Sequence, residues 1–171
     1  MLKLYTYFCF SDKDWKPFNG PSGPLVDGIS AGLFVDGKDS YVGRGTVYGQ
    51  LAPGTLLIED SIVRKAGLYI EHSYINHLIT LNVEYYAKNP ACNYKWVESS
   101  NGQTIFNAVN YNSDGYTMYV GRIFDDDSWH VGKVPIETGI IYYGEGKSSA
   151  RYEVLVCEEI PEREPEREFT E

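Results

Sequence analysis

A nine-residue phrase that occurs twice is the feature that most constrains the fold of this chain. The letters DGKDSYVGR occupy residues 36–44 and DGYTMYVGR occupy residues 114–122, so six of the nine positions are identical at an offset of 78 residues. Self-similarity at a fixed offset is the signature of an internal duplication. The sequence of 171 residues therefore predicts two related halves.

Strand and turn signals fill both halves. Residues 2–10 alternate with a period of two, and the Asp-Gly pairs at 36–37 and 114–115 lie between apolar runs, which is typical of β-hairpins. Turn signals recur roughly every 8–12 residues, and no stretch of about 12 residues has its apolar side chains at helical spacing. These patterns predict an all-β, antiparallel sandwich or barrel-like fold with little or no helix.

The repeat divides the chain into four segments. We expect an N-terminal strand over residues 1–13, a divergent first repeat over 14–90, a second repeat over 91–159, and an acidic tail over 160–171. The tail has no apolar face and is expected to be disordered. Since each repeat alone holds only a few short strands, packing of the two about a pseudo-twofold axis would complete the core.

Charge and cysteine usage exclude several classes of protein. Lys and Arg number 15 against 24 Asp and Glu, a net charge of −9, which argues against a nucleic-acid partner. No apolar run approaches the ~18 residues of a membrane span, so no membrane partner is expected.

Cys9, Cys92 and Cys157 cannot form a disulfide framework and lack metal-ligand spacing, which favours a reducing compartment. Without a signal peptide, we expect a cytoplasmic protein or secretion by an unconventional route.

The second copy carries further motifs in a fixed order. These are KWVESSNG at 95–102, the repeated phrase, DDDSWHVGKV at 125–134 and RYEVLV at 151–156. In this order they resemble the DM9 repeat, and residues 14–157 resemble a tandem pair in which the first copy is the more divergent. The resemblance implies an all-β, pseudo-twofold pair of modules with strands exchanged between the halves.

The resemblance also implies a function. Members of the DM9 family act as lectin-like proteins that recognise mannose-type sugars in invertebrate innate immunity. An acidic residue ten positions before the repeat's Arg and a Lys eleven positions after it hold the sugar hydroxyls. At these positions the second copy has Asn112 and Lys133, and the first copy has Phe34 and Thr55. Homodimerisation is expected by the same analogy.

The chemistry of these positions can be stated independently. A sugar hydroxyl both donates and accepts, so a carboxylate beside an ammonium group suits it, and charged partners strengthen each hydrogen bond. Asn112 accepts without charge assistance, and Asp114, two residues on, could supply the missing carboxylate. We therefore predict a ligand site at Asn112, Asp114 and Lys133, with Asp36 as the first-copy equivalent of Asp114. The plain alternatives are a turn aspartate before Gly115 and an exposed lysine at a strand start.

Two other pairs repeat between the copies. Arg44 and Arg122 occupy the same place in the phrase, which favours structural hydrogen bonding across the interface between the halves. Trp15 and Trp96 head the two copies and are interpreted as core or interface anchors, with sugar stacking as the alternative.

No motif indicates catalysis, a cofactor or a metal. The spacing of five between His72 and His77 suits neither a strand face nor a helix face, so no shared metal is expected. Residues 125–127 read as an acidic turn, with a weak Ca²⁺ site as the alternative. The leading prediction is a non-catalytic, carbohydrate-binding protein, which Lys133 favours. The alternative is an interaction or structural scaffold that has lost sugar binding, which Phe34 favours.

Overall fold

The computed structural model describes residues 14–19, 25–58, 66–113 and 115–161. Within these ranges the chain forms fourteen strands, no α-helix and one turn of 3-10 helix at Val35–Gly37. No helix in this part of the chain is long and apolar enough to cross a membrane. The strand expected at 1–13 and nearly all of the expected tail lie outside the described residues.

The first half folds into one antiparallel sheet, in the order β1-β7-β3-β4-β5-β6 with β2 beside β3. Its strands are β1 (Trp15–Pro17), β2 (Ser30–Leu33), β3 (Asp39–Val47), β4 (Gln50–Ile58), β5 (Ala66–His72), β6 (Ile75–Ile79) and β7 (Glu84–Tyr86).

The second half repeats this order strand for strand, as β8-β14-β10-β11-β12-β13 with β9 beside β10. Its strands are β8 (Cys92–Ser100), β9 (Asn110–Ser113), β10 (Tyr116–Asp125), β11 (Ser128–Pro135), β12 (Ile141–Tyr143), β13 (Lys147–Ser149) and β14 (Arg151–Glu159). The predicted all-β fold of two small modules is confirmed, and the duplicated phrase lies in the equivalent strands β3 and β10.

The expected exchange of strands is not found among the strands that the structure describes. Each sheet takes all of its described strands from its own half. The physical reason is the short connections, since β3–β4, β5–β6 and β10–β11 are hairpins whose partners are adjacent in sequence. The halves are joined instead by side-chain contacts.

Paired glycines bring the strands of each sheet unusually close. Gly54 on β4 and Gly132 on β11 are equivalent positions, and a Cβ at either would lie within 2.2–2.3 Å of a backbone oxygen on the next strand, of Tyr69 or of Tyr142. Only glycine fits such an approach. The duplicated fold therefore depends on a glycine at this position in both halves.

The central core is shared by the two halves. The first half contributes Trp15, Ile29, Ala31, Val42 and Tyr86 to it, and the second contributes Val109, Tyr111, Val120, Val131, Leu155 and Cys157. Each half also has an outer core cluster of its own. Across the boundary between the halves, β11 contacts both β4 and β2.

A disulfide between Cys92 and Cys157 corrects the expectation that the cysteines remain reduced. Strands β8 and β14 pair over nine residues, and this register brings the two Cα atoms to 5.2 Å. That separation suits a disulfide. The two cysteines are 65 residues apart in sequence, so their pairing becomes evident only from the strand register.

Candidate functional site

Lys133, the family's lysine position in the second repeat, is held by the opposite half. Its Nζ lies 3.2 Å from Oε2 of Glu71 on β5 and 3.4 Å from the Glu71 carbonyl oxygen. The Lys133 side chain is 20% exposed and that of Glu71 is 5% exposed. The ammonium group therefore joins the halves and is only partly accessible to a ligand.

Asn112 does not share a site with Lys133. Asn112 pairs in register with Thr117 of β10, whereas Lys133 pairs with Val120 of the same strand. Positions an odd number of residues apart on a strand point to opposite faces of the sheet. Asn112 is exposed and its Oδ1 accepts a hydrogen bond of 2.9 Å from Thr117 Oγ1. Asp114, the proposed extra carboxylate, lies outside the described residues.

Two of the three first-repeat equivalents, Phe34 and Thr55, contact the opposite half. The ring of Phe34 stacks on Tyr69 at 6.1 Å and meets His130 of the second half edge-on at 5.6 Å between centroids. Thr55 is 2% exposed, and its hydroxyl oxygen accepts a 2.8 Å hydrogen bond from the backbone N–H of Val131. Asp36 is exposed in the 3-10 turn.

Arg122 lies between two indole rings. Its guanidinium carbon is 4.5 Å from the Trp96 ring centroid and 4.0 Å from that of Trp129. Its Nε donates to Glu153 Oε2 at 2.6 Å, and its Nη1 donates to the Ala31 carbonyl of the first half at 2.9 Å. Burial lowers the pKa of Arg122, and the bond to Glu153 opposes that shift. The group stays charged and is fixed in place.

The first half repeats part of this arrangement. Arg44 lies 4.6 Å from the Trp15 ring centroid, and its Nε donates to Glu84 at 2.6 Å. In both halves the Arg and Glu are register neighbours on paired strands. This supports the structural interpretation of the two arginines, and the bond from Arg122 to Ala31 crosses between the halves as expected. The two tryptophans likewise act as anchors, since Trp15 is buried in the shared core and Trp96 Nε1 donates to the Ser30 carbonyl oxygen across the boundary.

An open groove of about 500 Å³ lies beside Arg122, and we call it the arginine groove. Its lining includes two guanidinium groups, two carboxylates, an amide and three aromatic side chains, from Arg122, Arg151, Glu98, Glu153, Gln103, Phe124, Trp129 and Tyr152. The sequence did not predict it because its side chains come from four strands, β8, β10, β11 and β14, and from a loop. Of its lining residues, the Arg of the repeated phrase and the Glu of RYEVLV lie in the motifs that mark the second repeat.

The histidine pair is closer in space than the sequence suggested. The β5–β6 hairpin brings the rings of His72 and His77 to 6.3 Å, and Tyr48 packs against both. The turn between β5 and β6 brings the two rings together from different strands, which a spacing along one strand or helix face does not predict. Among the described residues no group of three His, Cys, Asp or Glu could hold a metal ion.

The acidic turn is partly neutralised by the protein itself. Lys147 Nζ donates to Asp125 at 2.7 Å and also contacts Asp126. Its hydrogen bond holds the pKa of Asp125 below the usual value, assisted by the hydroxyl of Tyr143. The ammonium group of Lys147 already binds two of the three carboxylates, so the geometry does not support the alternative of a calcium site.

Comparison with known proteins places this architecture in a family. The DM9 repeat model matches residues 34–148. No curated protein matches. The fold is similar to the crystal structure of the nematode sperm cell motility protein MFP2B, with a TM-score of 0.64 and 15% sequence identity, over 88% of this chain and 47% of that one. This chain thus spans about half the length of that protein, and the likeness shows the fold alone. The family match covers most of the sequence, and the chain belongs to the DM9 repeat family.

Proposed function

We propose that this protein is a non-catalytic, lectin-like recognition protein that binds a mannose-type carbohydrate in the arginine groove. The observation that carries the proposal is the combination, in one open groove, of charged donors and acceptors with the half-exposed ring of Phe124. A role in innate immunity rests on the family resemblance.

The groove has the chemistry that a neutral sugar requires. The carboxylates of Glu98 and Glu153 only accept hydrogen bonds, Arg151 only donates them, and the amide of Gln103 does both. Phe124 offers an apolar ring to the C–H face of a sugar. With two positive and two negative groups, the lining is balanced in charge, which suits an uncharged polyhydroxylated ligand better than an ionic one.

The groove is also organised before any ligand arrives. The bond between Arg122 and Glu153 and the two flanking indole rings fix the guanidinium group. A ligand that binds to fixed groups does not have to order them, so less of the interaction energy is lost on binding.

The family's lysine position is less suited to binding. A hydroxyl that approached Lys133 would compete with Glu71, and only one fifth of the lysine side chain is exposed. We therefore place the primary site in the arginine groove and treat Lys133 as a structural link.

A second candidate function is an interaction or structural scaffold without sugar binding. The observation that favours it is the engagement of Phe34, Thr55 and Lys133 in contacts between the halves. In this chain the family's sugar-binding positions hold the two halves together.

A glycan array with the purified full chain separates the candidates. We expect retention on mannose-type glycans that is lost in Arg151→Ala and Gln103→Ala and kept in Lys95→Ala, a matched surface change on β8. A blank array would support the scaffold function. Loss in Lys133→Ala alone, with the circular dichroism spectrum unchanged, would move the site to the family's position. Homodimerisation stays a prediction, to be tested by sedimentation.

A further inference from the structure

A second groove lies between two hairpins from opposite halves, and we call it the hairpin groove. It has a volume of about 620 Å³ and is bordered by the β2–β3 connection and the β10–β11 turn. Its most exposed side chains are Leu33, Val35, Asp36, Phe124, Asp126 and Asp127.

Large apolar side chains are exposed together in this groove. Leu33 is 55% exposed, Val35 46% and Phe124 56%. Single exposed apolar residues are ordinary, but a cluster within one concave surface is typical of a binding site. Phe124 packs on Trp129 at 5.4 Å between centroids, and Trp129 lies against the backbone of Gly32, so the floor of the groove is firmly packed.

The polar part of the lining is entirely acidic. Asp36, Asp126 and Asp127 contribute carboxylates, and no Lys or Arg side chain lines the groove among the residues that the structure describes. Lys147 binds Asp126 from one side, and the exposed Lys38 lies two residues after Asp36 in the chain. The remaining negative potential would repel phosphates of nucleic acids and anionic lipids, and would attract cationic groups.

The shared scaffold does not require these side chains. The offset of 78 residues that relates the halves places Thr46 and Leu51 where the second half has Phe124 and Trp129, and both pairs are in register across their hairpins. The turn between Thr46 and Leu51 contains Tyr48 and Gly49 rather than two aspartates. The acidic, apolar groove is thus a feature of one side of a pseudo-symmetric protein.

We infer that the hairpin groove binds a polypeptide segment of a partner protein in which apolar side chains are flanked by Lys or Arg. The apolar side chains cover Leu33, Val35 and Phe124, and the cationic groups face the aspartates. Apolar contacts in the centre with charge complementarity at the rim match the usual anatomy of a protein interface. The two grooves share Phe124 and Trp129, but Val35 and Asp127 line only the hairpin groove and Arg151 lines only the arginine groove, so variants at these three residues distinguish peptide binding from sugar binding.

The test uses the full chain and three fluorescein-labelled dodecapeptides. The first alternates Lys and Leu, the second replaces Lys by Glu, and the third replaces Leu by Ser. Fluorescence anisotropy should show saturable binding of the Lys/Leu peptide only, with weakening as salt is raised. Val35→Ser and Asp127→Asn should each weaken binding by roughly 5–10-fold, as expected for residues at an interface.

Matched variants keep the test specific. Leu81→Ser removes an apolar side chain that is 77% exposed elsewhere, and Glu98→Gln removes an exposed carboxylate from the arginine groove. Both should bind the Lys/Leu peptide as the unmodified chain does. Absence of binding, equal binding of the Glu/Leu peptide, or equal weakening in the matched variants would overturn the inference.

Two further measurements distinguish peptide binding from self-association and from sugar binding. Sedimentation that shows a dimer broken by Val35→Ser would make a second copy of the chain the occupant, and would overturn the inference. The Val35→Ser and Asp127→Asn variants should still bind glycans on the array. The Arg151→Ala variant should still bind the Lys/Leu peptide. Each proposal can therefore fail while the other holds.

Discussion

The ammonium group of Lys133 and the carboxylate of Glu71 form an ion pair of 3.2 Å that crosses from one half of the fold to the other. Glu71 is among the few buried charged residues, and its Oε1 accepts a further bond of 2.9 Å from the backbone N–H of Tyr74. The pair lies at the position where the family resemblance predicted a sugar ligand.

Loss of the lysine alone should destabilise the protein strongly. In Lys133→Met the buried carboxylate of Glu71 loses its counter-ion, and removing one partner of a buried pair costs about 3–5 kcal/mol. Urea unfolding should show the decrease in the free energy of unfolding. Adding Glu71→Gln to this variant should recover part of it, because the uncompensated charge is removed.

The matched control for this change is Lys95→Met. Lys95 pairs with Glu158 on neighbouring strands, but both side chains are nearly half exposed. Exposed pairs contribute about 0–1 kcal/mol, so a small effect is expected. Equal losses in the two variants would contradict a structural role for the pair of Lys133 and Glu71.

The fold was more predictable from the sequence than the site. The repeated phrase and its Asp-Gly turns report local pairing, and local pairing determines β3–β4 and β10–β11. The offset of 78 residues also related the two arginines correctly. These features are encoded within about ten residues of chain, which is the range that periodicity and turn chemistry can reach.

The site depended on contacts that no local pattern encodes. Glu71 reaches Lys133 from 62 residues away, and Cys92 reaches Cys157 from 65. Asn112 was placed beside Lys133 by family spacing, but the register of β9 and β11 on β10 directs the two side chains to opposite faces. Register between strands is set by the whole sheet, so a count of residues cannot supply it.

The disulfide should contribute a large share of stability. It closes a loop of 65 residues between β8 and β14, for which the chain-entropy estimate is about 4 kcal/mol. Cys92→Ser combined with Cys157→Ser should lower the free energy of unfolding by an amount of this order. Dithiothreitol should have the same effect on the unmodified chain and no further effect on the double variant. An unchanged midpoint in urea after reduction would refute the expectation.

Gly32 should tolerate no side chain. Its φ of +115° is unfavourable for other residues, and a Cβ there would lie 2.4 Å from Cδ1 of Trp129. Gly32→Ala should therefore destabilise the protein by about 2–4 kcal/mol, because the cost of the backbone strain and the cost of displacing the indole ring add together. A change in tryptophan fluorescence should accompany the loss.

Gly49→Ala provides the comparison for Gly32. Gly49 has a φ of +81°, and nothing lies within 4 Å of an added Cβ. Only the cost of a positive φ for alanine remains there, so the free energy of unfolding should fall by about 1 kcal/mol. If both variants lost the same stability, the contact with Trp129 would not be the cause.

His130 should make stability depend on pH between neutral and mildly acidic conditions. Burial lowers the pKa of His130 from 6.5, although its Nε2 lies 3.2 Å from the Asp125 carbonyl oxygen, which opposes the shift. As the pH falls below 6.5, the unfolded chain therefore takes up the proton before the folded one. The contribution to stability is complete above pH 6.5 and is lost progressively below it. Thermal unfolding at pH 7.5, 6.5 and 5.5 should show a smaller decrease in melting temperature for His130→Gln than for the unmodified chain. Titrating groups that do not interact with His130 are common to both proteins, so equal decreases would show that His130 is not the group responsible.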